Sequence, residues 1–217
     1  MDELDRLLTL AQDAHEKEDF NKKIGYLRDA LKLATNKGEI ASIHEEIGLS
    51  FYSLSDFGEA KKNYFKALEN LYALPDSEAY ELKWSVNYNL GAAFFDDGDY
   101  HNALKYYLEA FKYIESLDAE DAFMVILASG VSYEKLNNLD KAIEFYHKAL
   151  KVEGLATEDK TMVYQFLGQS YDKNGNEKSA FDCFHKVFSI NPNYDGGWYL
   201  TYRYAQLAYR FRSYELA

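Results

Sequence analysis

The groups in this chain that could carry chemistry are adjacent carboxylates, five histidines, one cysteine and a few amide side chains. Carboxylates stand side by side at Glu45-Glu46, Asp96-Asp97 and Glu120-Asp121. A carboxylate pair can serve as general acid and general base, but sequence neighbours on a helix do not face one another, so these pairs read as solvated faces. The run Asp96-Asp97-Gly98-Asp99 hints at calcium and lacks the later ligands of an EF-hand loop. His15, His44, His101, His147 and His185 are scattered, with no His-x-x-x-His pair, no cysteine pair and no glycine-rich phosphate loop after a strand. Cys183 stands among apolar residues and reads as a small buried hydrophobe. No catalytic residue, metal site or cofactor is expected. What remains is recognition chemistry: amides such as Asn89, Gln165 and Gln169 can pair with a peptide backbone, while methionine and aromatic side chains take apolar residues.

Composition narrows the partners. The 217 residues carry a formal net charge of -12, which repels phosphate backbones and anionic bilayers, so neither nucleic acid nor membrane is expected as a partner. No stretch approaches the roughly 18 apolar residues of a membrane span. A lone cysteine forbids an internal disulfide. The opening MDELDRLLTLAQDAHEKEDF has neither a basic segment nor a long apolar run, so no signal peptide is expected and a cytoplasmic location is. Only Pro75 and Pro192 occur, both at ends of predicted helices, as an all-helical chain requires.

The elements that must position these groups come from an internal period. The clearest copy reads Leu90-Gly91-x-x-Phe94, then Ala103, Tyr107 and Ala110. Three others read Gly48-x-x-Phe51…Ala60…Tyr64…Ala67, Gly130-x-x-Tyr133…Ala142…Tyr146…Ala149 and Gly168-x-x-Tyr171…Ala180…Phe184…Val187. A degenerate first copy reads Ala11-x-x-Ala14…Lys23…Leu27…Ala30. A fixed period means stacked supersecondary units, each a helix pair that cannot bury its apolar stripe alone. The copies span residues 4–37, 41–74, 84–117, 123–156 and 161–194, with a partial sixth over 198–217. Pro75 to Lys83 reads as a turn and a lengthened helix capped by Asp76 or Ser77, and Thr157 as a cap with acidic residues after it. Turns carry Gly98, Asn137-Asn138 and Gly175, which tolerate positive φ.

These residues resemble the tetratricopeptide repeat over nearly the whole chain, in lengthened units. The resemblance implies an all-α fold: a single right-handed solenoid of antiparallel helix pairs, about 11 helices in all. Units of this length resemble those of bacterial peptide-pheromone receptors and of some polarity and kinesin-light-chain adaptors. The sixth copy leaves a stripe of Trp198, Tyr202, Ala205 and Tyr209 uncovered. Either the sequence is a fragment, its Ser213-Tyr214-Glu215-Leu216-Ala217 opening a further helix, or this helix docks on another chain.

In such a stack the first helix of each pair lines the inner face. The register then places Glu45, Leu49 and Tyr52 there in the second repeat, Tyr88, Asn89 and Phe95 in the third, Met124, Leu127 and Val131 in the fourth, Gln165 and Gln169 in the fifth, and Tyr202 in the sixth. Phe123 to Leu127 is apolar on every side, so Met124, Leu127 and Val131 read equally as core or as a self-association surface. The co-chaperone members of the family hold a C-terminal carboxylate with Lys and Asn. Here those slots hold Glu45, Tyr88, Leu127 and Gln165, which argues against such a clamp. Lys135, Lys173 and Arg210 leave room for a weaker anion contact. The expected function is a non-enzymatic protein–protein interaction scaffold taking a peptide in its groove. The alternatives are a peptide-sensing part of a larger bacterial regulator, or a structural protein assembling homo-oligomers through its last helix.

Overall fold

The computed structural model describes residues 2–215, apart from the side chains of residues 76–78 and 212–215. Among the described residues there are eleven α-helices, one short 3-10 turn and no strand. The chain divides into two compact units that part between Ile114 and Glu115. Unit 1 holds α1 (Glu3–Glu16), α2 (Phe20–Leu31), α3 (Lys37–Ser53), α4 (Phe57–Leu71), α5 (Asp76–Asp96) and α6 (Tyr100–Phe111). Unit 2 holds α7 (Ala119–Lys135), α8 (Leu139–Ala149), α9 (Thr157–Lys173), α10 (Glu177–Ile190) and α11 (Gly197–Glu215). Within each unit consecutive helices pack as hairpins and the hairpins stack on one another.

One turn recurs inside every complete hairpin. An Asp or Asn caps the second helix, at Asp19, Asp56, Asp99, Asn138 and Asn176, its side chain accepting an amide of the first turn. The cap's own amide donates to the carbonyl five residues back, at 2.9 Å each time. That closure needs a left-handed residue just before the cap. Gly98 and Gly175 supply it with φ 83° and 78°, and Asn137 with φ 58°, as their residue types lead one to expect. Glu18 and Ser55 adopt φ 54° and 59° in the same place, although neither type favours it.

Packing between the helices of a hairpin follows from volume. A Cβ built on Gly48 would lie 2.5 Å from the Tyr64 ring, on Gly91 2.7 Å from Tyr107, and on Gly130 2.8 Å from Tyr146. Gly168 meets Phe184 in the same way. Each ring sets one edge against the glycine sixteen residues before it, and the small residues Ala60, Ala103, Ala142 and Ala180 beside it are fully buried. In the first hairpin Ala11 faces Leu27, both buried, and Lys23 occupies the small slot. The Lys23 stem is buried while its ammonium reaches the Glu46 carboxylate at 2.5 Å.

Three boundaries differ from expectation. Helix α9 is capped at Ala156 without a side-chain hydrogen bond, so Thr157 is its first residue; Glu158 and Asp159 do lie in the first turn. Pro75 stands at the N-cap of α5, again without a side-chain bond, and the Asp76 and Ser77 side chains expected to cap it lie outside the described residues. Lys83 anchors the lengthened start of α5 by donating to the Leu74 carbonyl at 3.2 Å. Finally, α11 runs unbroken to Glu215, so no turn separates Ser213 to Glu215 from it; Leu216 and Ala217 lie outside the described residues.

Replacing Gly91 with leucine should cost about 2 kcal/mol or more, because the Tyr107 ring must move off its seat. Gly25, in α2, has nothing within 4 Å of a Cβ, so Gly25→Ala should gain about 0.5–1 kcal/mol from helix propensity alone. Urea unfolding of both variants checks the pair; a Gly91→Leu protein as stable as the parent would refute the ring-on-glycine account.

Candidate functional site

In unit 1 the face formed by the first helices carries α3 and α5 side by side. Glu45 is 8% exposed. Its Oε1 accepts from the Ser85 hydroxyl at 2.6 Å and from Asn89 Nδ2 at 3.1 Å, tying the two helices together. Burial pushes the Glu45 carboxyl up to about 7, the neighbouring Glu46 adds to the shift, and the two hydrogen bonds oppose it. Its neighbour Glu46 turns away to Lys23. Leu49 is half-buried and lines a pocket of about 280 Å³ with Phe20, Lys23 and Glu46. The Tyr52 hydroxyl donates to the Asp96 carboxylate. Tyr88 packs its ring on Tyr107 at 5.5 Å and on Trp84 at 6.5 Å, and Phe95 packs on Tyr100 at 5.1 Å. Tyr88, Asn89 and Phe95 all stay half-buried.

The acidic run at the end of α5 separates into three tasks. Asp96 accepts from Tyr52, Asp97 pairs with Lys61 at 2.5 Å, and Asp99 caps α6. Among the described residues no cluster of histidine, cysteine and carboxylates is arranged to hold a metal. The histidines serve packing. His44 is buried against Asn63, and His147 and His185, at the same slot of α8 and α10, meet the hydroxyls of Tyr171 and Tyr204 at 2.9 and 2.8 Å. Burial pushes the Cys183 thiol up to about 11, which leaves it protonated and unreactive at neutral pH.

In unit 2 the first-helix face is crossed by ion pairs. Lys173 reaches Glu134 at 2.6 Å, and the Tyr146 hydroxyl donates to the same carboxylate. Arg203 forks onto Asp172 with contacts of 2.7 to 3.0 Å and also meets Glu177, which Arg210 engages in turn. Burial works against ionising Asp172, yet the hydrogen bonds from Arg203 and Tyr199 outweigh it and hold the carboxyl below its ordinary value. Lys173 and Arg210, read from sequence as open to an anion, are therefore engaged by carboxylates. Met124, Leu127, Val131 and Gln169 are half-buried, between the covered core of Phe123, Val125 and Ile126 and solvent. Met124 lines a cavity of about 440 Å³ with Phe123, Glu120 and Asp159. Gln165 accepts from the Tyr194 hydroxyl at 2.7 Å, which occupies an amide oxygen expected to face a peptide. Tyr202 is 57% exposed, in line with Trp198 at 79% and Tyr209 at 81%.

The residues singled out from the register thus fall on two separate faces, one in each unit. Missed from the sequence were the links between them. Partners lie 44, 39 and 31 residues apart, at Tyr52–Asp96, Glu134–Lys173 and Asp172–Arg203. The available signal was a donor and an acceptor near corresponding slots of successive repeats.

Glu45 gives this face a measurable pH dependence. Its folded value lies above its unfolded one, so between about 4.5 and 7 the folded state holds a proton that the unfolded state has lost. The stability contributed by the protonated group is therefore complete at low pH and declines as pH rises through that window. Glu45→Gln should be more stable than the parent at pH 8, by up to about 3 kcal/mol, and the difference should close by about pH 4.5. Thermal melts of both proteins across this range test it; a constant gap would show that Glu45 is not buried in its charged form.

Comparison with known proteins agrees with the architecture. Tetratricopeptide-repeat models match residues 85–153 and 163–194. Among proteins of curated function, none matches the chain. Solved structures with this fold include MamA, from residue 41 to its end, of Desulfovibrio magneticus RS-1, at 18% identity, TM-score 0.72, with 90% of this chain and 99% of that one covered. YrrB, described as a TPR protein with an unusual peptide-binding site, aligns at 18% identity and TM-score 0.68 over 87% of this chain and 86% of its own. The apo form of RapI aligns at 18% identity and TM-score 0.74 over 87% of this chain and 70% of its own. With its ring-on-glycine hairpins, its recurring Asx-capped turns and these matches, the chain belongs to the tetratricopeptide-repeat family.

Proposed function

We propose that this protein is a non-enzymatic interaction scaffold that binds a peptide or protein segment along the first-helix faces of its repeats. One observation carries the reading. Leu49, Tyr88, Phe95, Met124, Leu127 and Val131 all remain half-buried on those faces, whereas Ile47, Val86, Leu90 and Val125 of the same helices are buried. Apolar surface left accessible beside polar hydrogen-bonding groups is what a peptide groove offers. The fold shared with YrrB, described as a TPR protein with an unusual peptide-binding site, is consistent with this. A partner of protein or peptide nature follows, in the cytoplasm, with nucleic acid and membrane disfavoured by the charge of -12. The test is site-specific crosslinking in cell extract. A photoreactive phenylalanine at Phe95 or Leu127 should capture a partner, while the same group at Glu69 or Asp182, exposed on second helices, should not. Capture only from the second helices would refute the assignment.

A second reading rests on α11. Leu200 and Leu207 are fully buried on its inner side. Trp198 and Ala205 occupy slots that lie against the second helix in the other hairpins, and here they are exposed, as is Tyr209 in the slot of Tyr52 and Phe95. This face suits a helix from a second copy of the chain. Replacing Trp198 and Tyr209 with serine should leave the melting temperature nearly unchanged and shift sedimentation equilibrium toward monomer. A parent that is monomeric at every concentration would eliminate this reading.

A further inference from the structure

The two units fill the same slots with different charges. In unit 2, Lys173 on α9 reaches back to Glu134 on α7. In unit 1, the slot of Lys173 is held by Asp96 on α5 and the slot of Glu134 by Tyr52 on α3, and these two are hydrogen-bonded in the same way with the donor and acceptor exchanged. The slot from which Arg203 reaches Asp172 is held in unit 1 by Asn89, which reaches Glu45. Unit 2 therefore pairs Glu134 and Asp172 of its first-helix face with its own cations, and among the described residues no cation pairs with Glu45 or Asp96 of unit 1. Among the described residues, Glu45 and Asp96 hydrogen-bond only neutral donors: Ser85, Asn89 and Tyr52. The nearby cations are already taken, Lys23 by Glu46 and Lys61 by Asp97.

A second observation is independent of these acids. Tyr64 is fully buried, and its hydroxyl has no hydrogen-bond partner among the described residues. Its counterpart Tyr146 in unit 2 spends its hydroxyl on Glu134, on the first-helix face. Tyr64 stands in the slot of Tyr146, and burial together with the nearby Glu45 and Glu46 carboxylates pushes its phenol pKa up. A buried polar atom without a partner is rare and costly, and this one lies near Glu45. Tyr52 and Tyr88 add ring faces, which attract ammonium and guanidinium groups. Carboxylates without counter-ions, an orphaned phenol and aromatic rings together describe a seat for positive charge.

We propose that the first-helix face of unit 1 takes the basic side chains, lysine or arginine, of a bound peptide, with Glu45 and Asp96 as the anionic acceptors and Tyr52 and Tyr88 as ring walls. The peptide itself rests on the scaffold reading above; the basic side chain is the new element. The overall charge of -12 works in the same direction by steering a cationic segment toward the chain.

The test is selection of a randomised twelve-residue phage-displayed peptide library on the full chain. Enriched peptides should carry lysine or arginine, and exchanging that residue for norleucine or citrulline should weaken binding tenfold or more in a fluorescence titration. Glu45→Gln and Asp96→Asn should each cut the preference for lysine over norleucine at least threefold. Enriched peptides without basic residues, or a preference unchanged in both variants, would overturn the inference and leave the scaffold reading standing. A library in which nothing enriches would overturn both.

Discussion

Everything in this fold depends on an aromatic ring lying directly on the backbone of the opposite helix. At Gly48, Gly91, Gly130 and Gly168 there is no room for a single methyl group. The helices of a hairpin therefore sit closer than side chains would ordinarily allow, and the ring fills the space that the absent Cβ leaves. Dense packing of this kind is sensitive to volume in both directions. The first hairpin shows the same sum reached with different terms: Ala11 brings a Cβ, and the residue across from it shrinks from a ring to Leu27. Where a repeat breaks the rule on size, it supplies an exit. Lys23 fills a slot that is alanine elsewhere, and its charge escapes to Glu46 at the surface.

The period was legible because each hairpin solves the same local problem with the same residue types. Glycine, aromatic and alanine at fixed spacing leave one arrangement in which all three are satisfied. Turns were legible only where the residue type announces the conformation, as at Gly98, Asn137 and Gly175. Glu18 and Ser55 adopt the left-handed region because the hydrogen bond from the following cap and the packing of both helices demand it. That is tertiary context overriding local preference, and no scan for turn residues finds it. The start of α9 is the mirror case. Thr157 is a good cap by type, but it is the first helical residue, and the cap position before it is an alanine that contributes no side-chain bond.

Register predicts which side of a helix a residue occupies; it does not predict what that residue touches. Tyr88 and Asn89 share a face in unit 1, and Leu127 and Gln165 share one in unit 2, by spacing alone. That Gln165 is taken up by Tyr194, or that Asp172 gathers Arg203 and Tyr199, depends on how far one repeat is offset from the next. These offsets are set by junctions of unequal length, which the sequence shows, and by how the helices slide in packing, which it does not. Polar partners a full repeat apart are consequently the part of the site that sequence reading reaches last.

Glu45 is the residue for which these strands of reasoning meet. Its slot, three residues before the glycine, holds Tyr88, Leu127, Gln165 and Tyr202 in the other repeats. The fold therefore accepts an apolar or neutral side chain there. Instead unit 1 buries a carboxyl whose ionisation is opposed by burial and by Glu46, and supports it with only two neutral donors. An ionised group held this way destabilises the folded chain near neutral pH. Local rules are broken in folded proteins chiefly where function requires it. A site that gains its missing counter-charge only on binding turns that penalty into affinity, because a ligand that stabilises the ionised form removes part of a cost already present in the free protein.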